Sequence, residues 1–268
     1  MRIAASVILF NPQKNILLNT LTYLSEVELL LIFDNSPDDR ARKYFQDEPK
    51  CRYYWDKENK GISKRLNQAL EISYSEKVDF LLTMDQDSSF KQGDFKKYMN
   101  LIENISSTEI GMFGIRHNKE IDKINRVTEN KVLITSGSVI NIEASIKIGF
   151  FDERLFIDHV DTDYCIRCFK RGFKTIRFNE IKLEHNEGEI VNTRTFYLKK
   201  EKRMVHSPKR IYYKTRNYLL LSRKHKDFKK IIPPITLLNT IKNNLLYQHN
   251  RLLTIFYALK GIIDSYKF

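Results

Sequence analysis

Three short apolar runs constrain this chain more than any other feature. Ile3 to Phe10, Leu29-Leu30-Leu31-Ile32-Phe33 and Phe80-Leu81-Leu82-Thr83-Met84 are of strand length, nearly continuous in apolar residues, and stop at polar groups: Asn11, Asp34, and Asp85 with Asp87. A strand that is apolar on both sides needs cover on both faces, the condition of a parallel sheet packed between helices. Helix-spaced stretches separate the runs: Lys14 to Ser25 with Ile16, Leu17, Leu21 and Leu24, and Ser63 to Ser75 with Leu66, Ala69, Leu70 and Ile72. Cys51 to Trp55 reads as a shorter strand between them. The expectation is an α/β fold, a mostly parallel central sheet flanked by helices, with the polar strand ends gathered at one edge. In open α/β sheets ligands bind beyond that edge.

Asp85-Gln86-Asp87 is the densest of these strand ends. Two carboxylates one residue apart, with substrate phosphates completing the shell, suit a hard divalent ion. The same residues also make an ordinary polar turn after a buried strand. Net charge narrows the partners: +13 over 268 residues points to an anion, whether nucleic acid, a nucleotide-sugar or an acidic membrane surface. Cys51, Cys165 and Cys168 are too few for a disulfide framework and fit a reducing cytosol. Cys165 and Cys168 form a C-x-x-C without a second pair for zinc, and read as neighbours on a helix face. Met1 to Phe10 lacks a signal cleavage site, and no stretch approaches the ~18 apolar residues of a spanning helix.

In the second half, Gly93 to Ile105 reads as a helix, Ile110 to Ile115 as a strand, Lys119 to Asn130 as a loop or irregular hairpin, and Val132 to Ile140 as a strand. Ser136-Gly137 within that last run marks either a bulge or a close approach of backbone to a ligand. Ile146 to Asp152 reads as a short helix closing into a turn. Asp158, His159, Asp161 and Asp163 crowd six residues before a helical stretch through Cys168 and Phe169. Acidic first turns complement the helix dipole, which accounts for Asp163. The remaining acids exceed that need, and a carboxylate facing a pocket there could serve as general base. Ile181 to His185 is a further strand, ending in an imidazole able to join a metal site.

The ordered set Phe10-Asn11, Ile32-Phe33-Asp34-Asn35-Ser36, Asn59-Lys60-Gly61-Ile62 with Leu66-Asn67, Asp85-Gln86-Asp87-Ser88, Thr135-Ser136-Gly137, Asp158 through Arg167, and His185 with Gly188 resembles family-2 glycosyltransferases of the Rossmann-like GT-A fold. The branch it resembles most is the bacterial rhamnosyltransferase-like one. The resemblance covers about residues 3 to 220, including His206 to Tyr213 and Arg216-Asn217. It implies a donor site at Phe10, Asn11, Asp34, Asn59, Gly61, Asn67, Asp85 and Gln86, with Asp34 meeting the base. It implies a Mg2+ or Mn2+ site at Asp85, Asp87 and His185, and an acceptor side at Ser136 and Gly137. The catalytic base maps to Asp161; because Val160 stands where the family usually has an acid, Asp158 or Asp163 could share or take the role. Arg167 would buttress the aspartates, and Lys64, Arg65 and Arg210 read as diphosphate contacts or solvated cations.

The implied activity is an inverting, metal-dependent transfer of a sugar, rhamnose from dTDP-rhamnose in first place, from a nucleotide-sugar donor to a glycan acceptor carried on a lipid. A UDP-hexose-dependent galactosyl- or glucosyltransferase is the alternative of the same fold. The domain expected is 1–220, with a nucleotide-sugar half to about 115 and an acceptor half beyond it, followed by a basic amphipathic helical segment, 221–268. Lys224 to Lys230 is a basic cluster, and Leu237 to Tyr266 mixes apolar and basic residues at helical spacing. Such a segment either rests on an anionic bilayer, at the inner face of the cell membrane, or packs on the catalytic domain. A nucleotidyltransferase would not need the later acidic helix start. A nucleic-acid-binding protein is not expected, since the cations are dispersed and carry no recognised signature.

Overall fold

The computed structural model describes residues 1–105, 108–117, 125–185, 190–194 and 200–267, with backbone alone for 185, 190–194 and 200–204. The chain divides into two compact units, Met1–Phe156 with Val160–Asn186, and Ile157–His159 with Glu187–Phe268. In order, the first unit contains β1 (Ile3–Leu9), α1 (Ile16–Leu24), β2 (Leu29–Asp34), β3 (Cys51–Trp55), α2 (Gly61–Ser75), β4 (Phe80–Asp85), β5 (Ser88–Phe90), α3 (Asp94–Glu103), β6 (Ile110–His117), β7 (Val127–Glu129), β8 (Ser138–Asn141), α4 (Ile142–Ile148), α5 (Val160–Lys170) and β9 (Lys174–His185).

These strands form one sheet in the order β3-β2-β1-β4-β8-β6-β9-β5, with β7 against β9. The expected parallel core is β3-β2-β1-β4. β2 is buried at every position, which is why its sequence does not alternate. Beyond β4 the sheet is mixed. β8 runs antiparallel to both β4 and β6, and β5 and β7 run antiparallel to β9. The strand expected over Val132–Ile140 is shortened to β8 because Gly137 turns the chain at φ 76°. Within the expected loop at Lys119–Asn130, 119–124 lie outside the described residues, and Val127–Glu129 is a strand. The short helix expected from Ile146 begins earlier, at Ile142, where the Asn141 side chain caps it by accepting from Ala144 N–H at 3.1 Å.

At the start of α2, Gly61 has φ 78°, and a Cβ there would lie 2.5 Å from Phe156 Cδ2 and 2.8 Å from the Phe156 carbonyl oxygen. The contact is held by Ile62 N–H, which donates to that carbonyl at 2.6 Å. Both the left-handed backbone and the clash oppose any side chain. Gly61→Ala is therefore expected to cost about 3 kcal/mol and lower the melting temperature by roughly 10 °C. A thermal melt within a degree or two of wild type would contradict this packing.

The second unit contains β10 (Ile190–Arg194) paired antiparallel with β11 (Lys200–Met204), then α6 (Pro208–Lys224), α7 (Phe228–Ile231), α8 (Pro234–Tyr247) and α9 (Arg251–Asp264). Ser207 caps α6 by accepting from Arg210 N–H at 3.3 Å, and Pro208 occupies its first turn, where a missing N–H costs nothing. The sequence boundary expected near residue 220 falls inside α6. That helix packs along α9 so closely that a Cβ at Gly261 would stand 2.8 Å from the Tyr212 carbonyl, and Tyr212 Oη donates to Asp264 at 3.1 Å.

Candidate active site

The strand order reverses between β1 and β4: the chain builds β2 and β3 on one side of β1, then returns to the other. At such a switch point the loops beyond the carboxyl ends part and leave a crevice. Register places Leu9 beside Asp34 and Ile8 beside Asp85, so the three polar strand ends share one edge. Gln86 ties the two sides of the switch, accepting from Phe10 N–H at 2.8 Å and donating to the Phe10 carbonyl at 3.2 Å. Asn19 Nδ2 donates to the Gln86 carbonyl at 2.9 Å. Asn11, at φ 47°, donates its N–H to Ser36 Oγ at 2.8 Å. Phe10 itself projects outward, about half exposed.

A pocket of about 330 Å³ opens here, lined among others by Asn11, Lys14, Asp34, Ser36, Arg40 and Lys43. The Asp34 carboxylate is fully buried: Oδ1 accepts from Ser36 N–H at 2.8 Å and Oδ2 from the Tyr53 hydroxyl. Burial, with the bond to Asp34, raises the Tyr53 hydroxyl pKa well above its ordinary value, so it stays a donor. Trp55 Nε1 donates to the Ser36 carbonyl at 3.1 Å, which puts the chain's one tryptophan against the pocket wall. Lys14, Arg40, Lys43 and Tyr53 were not singled out from the sequence. The charged run after Ser36-Pro37 was the available signal for Arg40 and Lys43, whereas Tyr53 reaches Asp34 only through the β2–β3 pairing. A larger cavity, about 810 Å³, lies at Met1, Asp79 and Phe80, where β1 and β4 begin; it is at the wrong end of the parallel strands for a switch-point ligand.

Several expected donor residues hold the frame around this crevice. Asn35 Oδ1 accepts from Arg65 Nε at 2.8 Å and Lys60 N–H at 3.2 Å, and Asn59 Oδ1 accepts from Gly61 N–H at 3.0 Å. Arg65, 1% exposed, is neither solvated nor turned to a phosphate: its guanidinium binds Asp56 at 2.6 Å. Although burial works against ionisation of Asp56, hydrogen bonds from Arg65 and Lys60 bring its carboxyl down to about 2. Asn67 brackets Phe151, accepting from its N–H at 2.8 Å and donating to its carbonyl at 2.9 Å. Lys64 stands 3.9 Å from Glu153. Ser136, 1% exposed, accepts from Asp85 N–H at 3.1 Å and donates to Ser88 Oγ at 2.9 Å. Gly137 N–H donates to the Thr83 carbonyl at 2.8 Å, so this pair braces the strand end that carries Asp85.

The three candidate bases are in different environments. Asp163 is fully buried and bound by Arg167 Nε at 2.8 Å, while Arg167 also donates to the Ile148 and Gly149 carbonyls at the end of α4. Asp161, in the first turn of α5, is half-buried; its Oδ1 accepts from Thr162 N–H at 2.7 Å and Thr162 Oγ1 at 3.3 Å. Asp158 belongs to the second unit, at φ 65°, with its side chain 7% exposed between Lys214 at 3.1 Å and Arg210 at 3.2 Å. Burial opposes its charge, but those two cations outweigh it and lower the Asp158 carboxyl. Its backbone carbonyl accepts from Asn217 Nδ2 at 2.9 Å. His159 packs edge-on to Tyr218 and Phe228, and burial lowers it to about 4, so its ring is neutral at pH 7. Cys165 and Cys168 are buried on α5 with free thiols.

A divalent ion belongs with the Asp-x-Asp strand end in the resembled family. Asp85 and Asp87 are half-buried at the crevice, and the β5–β9 register sets the backbone of His185 opposite Ser88. The side chain of His185, and Gly188 altogether, lie outside the described residues. Among the described residues no group of three His, Cys, Asp or Glu comes together as a complete metal site. Two carboxylates that leave positions for phosphate oxygens nonetheless suit Mg2+ or Mn2+, which are ordinarily held by one or two carboxylates and the substrate.

Solved structures like this chain include S. aureus TarS residues 1–349 (TM-score 0.55, 14% identity, covering 99% of this chain and 81% of that one). The same TarS fragment in complex with UDP-GlcNAc gives a TM-score of 0.58 at 15% identity, covering 99% and 80%. GalNAc-T7 with UDP, GalNAc and Mn2+ gives 0.56 at 10% identity, covering 69% and 44%. At these identities the likeness shows a shared fold, the GT-A fold. In sequence, the dTDP-rhamnosyl transferase RfbF of Shigella flexneri is 26% identical over 289 aligned positions, covering 97% of this chain and 96% of the relative. The Glycosyl transferase family 2 model matches residues 7–176, more than half of the chain, and the protein belongs to that family.

Proposed function

We propose that this glycosyltransferase moves a rhamnosyl group from dTDP-rhamnose to a hydroxyl of a growing, lipid-linked surface polysaccharide, with inversion at the anomeric carbon. The observation that carries the sugar is the similarity to a dTDP-rhamnosyl transferase over nearly the whole length of both chains. The base of the nucleotide enters the pocket beside Asp34 and Ser36, where Lys14, Lys43 and Arg40, the last paired with Asp38 at 2.7 Å, supply positive charge for its phosphates. Asp85 and Asp87 would hold Mg2+ or Mn2+, with His185 the third ligand that the family resemblance implies; such an ion would offset charge on the departing diphosphate. Asp161 takes the proton of the acceptor hydroxyl as its oxygen bonds to the anomeric carbon and the bond from that carbon to the diphosphate oxygen breaks. One displacement from the opposite face inverts the configuration. Asp163 and Arg167 keep α5 in place, and Asn59, Gly61 and Asn67 keep the start of α2 in place. No helix among the described residues is long and apolar enough to cross a membrane. The enzyme's proposed place is that of a peripheral protein on the cytoplasmic face, a reading that rests on the proposed lipid-linked acceptor.

The test is nucleoside-diphosphate release from dTDP-rhamnose, UDP-glucose, UDP-galactose and UDP-GlcNAc, with Mg2+ or Mn2+ and a membrane extract supplying acceptor. Turnover of dTDP-rhamnose at least about tenfold above the others, a discrimination of ~1.4 kcal/mol, is expected. Preference for a UDP-hexose would replace the sugar assignment, and turnover of sugar phosphates with nucleoside triphosphates would replace the reaction.

A further inference from the structure

The two terminal helices are packed inside out. In α9 the residues turned to protein are small or polar, Thr254, Ala258 and Gly261, with Asp264 and Ser265 completing the stripe. The residues turned outward are large and apolar: Leu252 is 83% exposed, Phe256 58%, Leu259 55% and Ile263 61%. At 100° per residue these four fall within one narrow arc with Lys260 along its edge, and Lys267, just past the helix, pairs with Asp264 at 2.5 Å. In α8 the one buried side chain is Asn244, which binds the His206 backbone, while Ile235, Leu238 and Leu246 are more than half exposed. A monomeric soluble surface rarely collects so many large apolar side chains, and such a patch marks an interaction site.

The charge around the patch selects its occupant. From residue 221 to 268 there are nine lysines and arginines against two aspartates. Apposing two copies of this face would bring two strongly positive surfaces together. An anionic bilayer accepts both features at once, burying the apolar arc at the headgroup boundary while the flanking lysines extend to lipid phosphates. We infer that the outward face of α8 and α9 is a membrane-docking surface for anionic phospholipid, with α9 lying in the plane of the bilayer and Leu252, Phe256, Leu259 and Ile263 inserted. The inference deepens the peripheral placement proposed above by naming the surface and the lipid class.

The test uses the full chain with vesicles of phosphatidylcholine alone or enriched in phosphatidylglycerol, read by co-sedimentation. Wild type is expected to bind the anionic vesicles on the order of tenfold or more tightly than the neutral ones, with binding weakened by salt. The double variant Phe256→Glu, Ile263→Glu should lose vesicle binding with an unchanged melting temperature, because both side chains already face solvent. Lys260→Gln with Lys267→Gln should lose on the order of tenfold for anionic vesicles and little for neutral ones. Absence of vesicle binding by wild type, or wild-type binding by the Phe256/Ile263 variant, overturns the inference. So does a stable dimer in solution that this variant dissolves, which would make a second copy the occupant. Donor turnover is read in parallel on the same protein with a membrane extract supplying acceptor. Vesicle binding without turnover leaves the surface standing and removes the rhamnosyl-transfer reading, and turnover without vesicle binding does the reverse.

Discussion

Asp161→Asn is expected to lower kcat by about 10²- to 10⁴-fold, the contribution of a positioned general base, while leaving the donor KM and the melting temperature near wild type. The argument rests on what surrounds the three aspartates. A base must reach the acceptor hydroxyl and exchange a proton with it. Asp163 is fully buried against Arg167, and Asp158 is held by Lys214 and Arg210, which lower its proton affinity. Asp161 is half-buried in the first turn of α5, its Oδ1 oriented by Thr162 N–H. The comparison variants separate the roles. Asp163→Asn would leave Arg167 without its carboxylate, so its main effect is a loss of stability of about 3 kcal/mol, seen as a lowered melting temperature. If Asp161→Asn turns over like wild type while Asp158→Asn or Asp163→Asn loses kcat without unfolding, the base is one of those two.

What the sequence carried was set by local physics. The apolar runs at β1, β2 and β4 are buried on both faces, so their composition announced both the strands and their parallel pairing. The polar residue closing each run marked the edge where the crevice lies. Pairings between distant segments left no comparable trace. β8 could not be read as antiparallel from Val132–Ile140, because a buried strand looks the same in either direction, and Gly137 alone signalled where it begins. The candidate site divides in the same way. Asp34 and Asp85 lie at the expected edge because strand ends are local features. Asn35, Asn67 and Ser136 turn out to brace backbone and Arg65 to bind a carboxylate, since their partners, Lys60, Phe151, Asp85 and Asp56, are chosen by tertiary structure. Arg65 shows the limit most clearly: an arginine in a polar helix start reads as solvated, yet its side chain is one of the most buried in the protein. The inverted face of α9 was equally hidden, because its helical spacing is the same whichever side faces solvent.

Asp87→Ala is expected to reduce turnover by about three orders of magnitude and to remove the dependence of donor binding on Mn2+ or Mg2+. Asp87 follows Gln86, whose side chain fixes the β4 end to Phe10, and precedes Ser88, whose hydroxyl is bound to Ser136. The carboxylate is therefore carried on a turn braced from both sides. Trp55 gives a readout independent of turnover: its indole is bonded to the Ser36 carbonyl at the pocket wall, and it is the chain's one tryptophan. Its fluorescence should report nucleotide-sugar binding in wild type, with an affinity at least about tenfold tighter when the divalent ion is added. In Asp87→Ala the titration with and without the ion should coincide, while the melting temperature stays within a few degrees of wild type. Asp34→Asn should differ in kind, weakening binding whether or not the ion is present, because Asp34 is not among the residues that would hold the ion. Equal stimulation by the ion in wild type and Asp87→Ala would move the metal ligand away from this turn, and would leave the crevice as a nucleotide site whose charge is met by Lys14, Arg40 and Lys43.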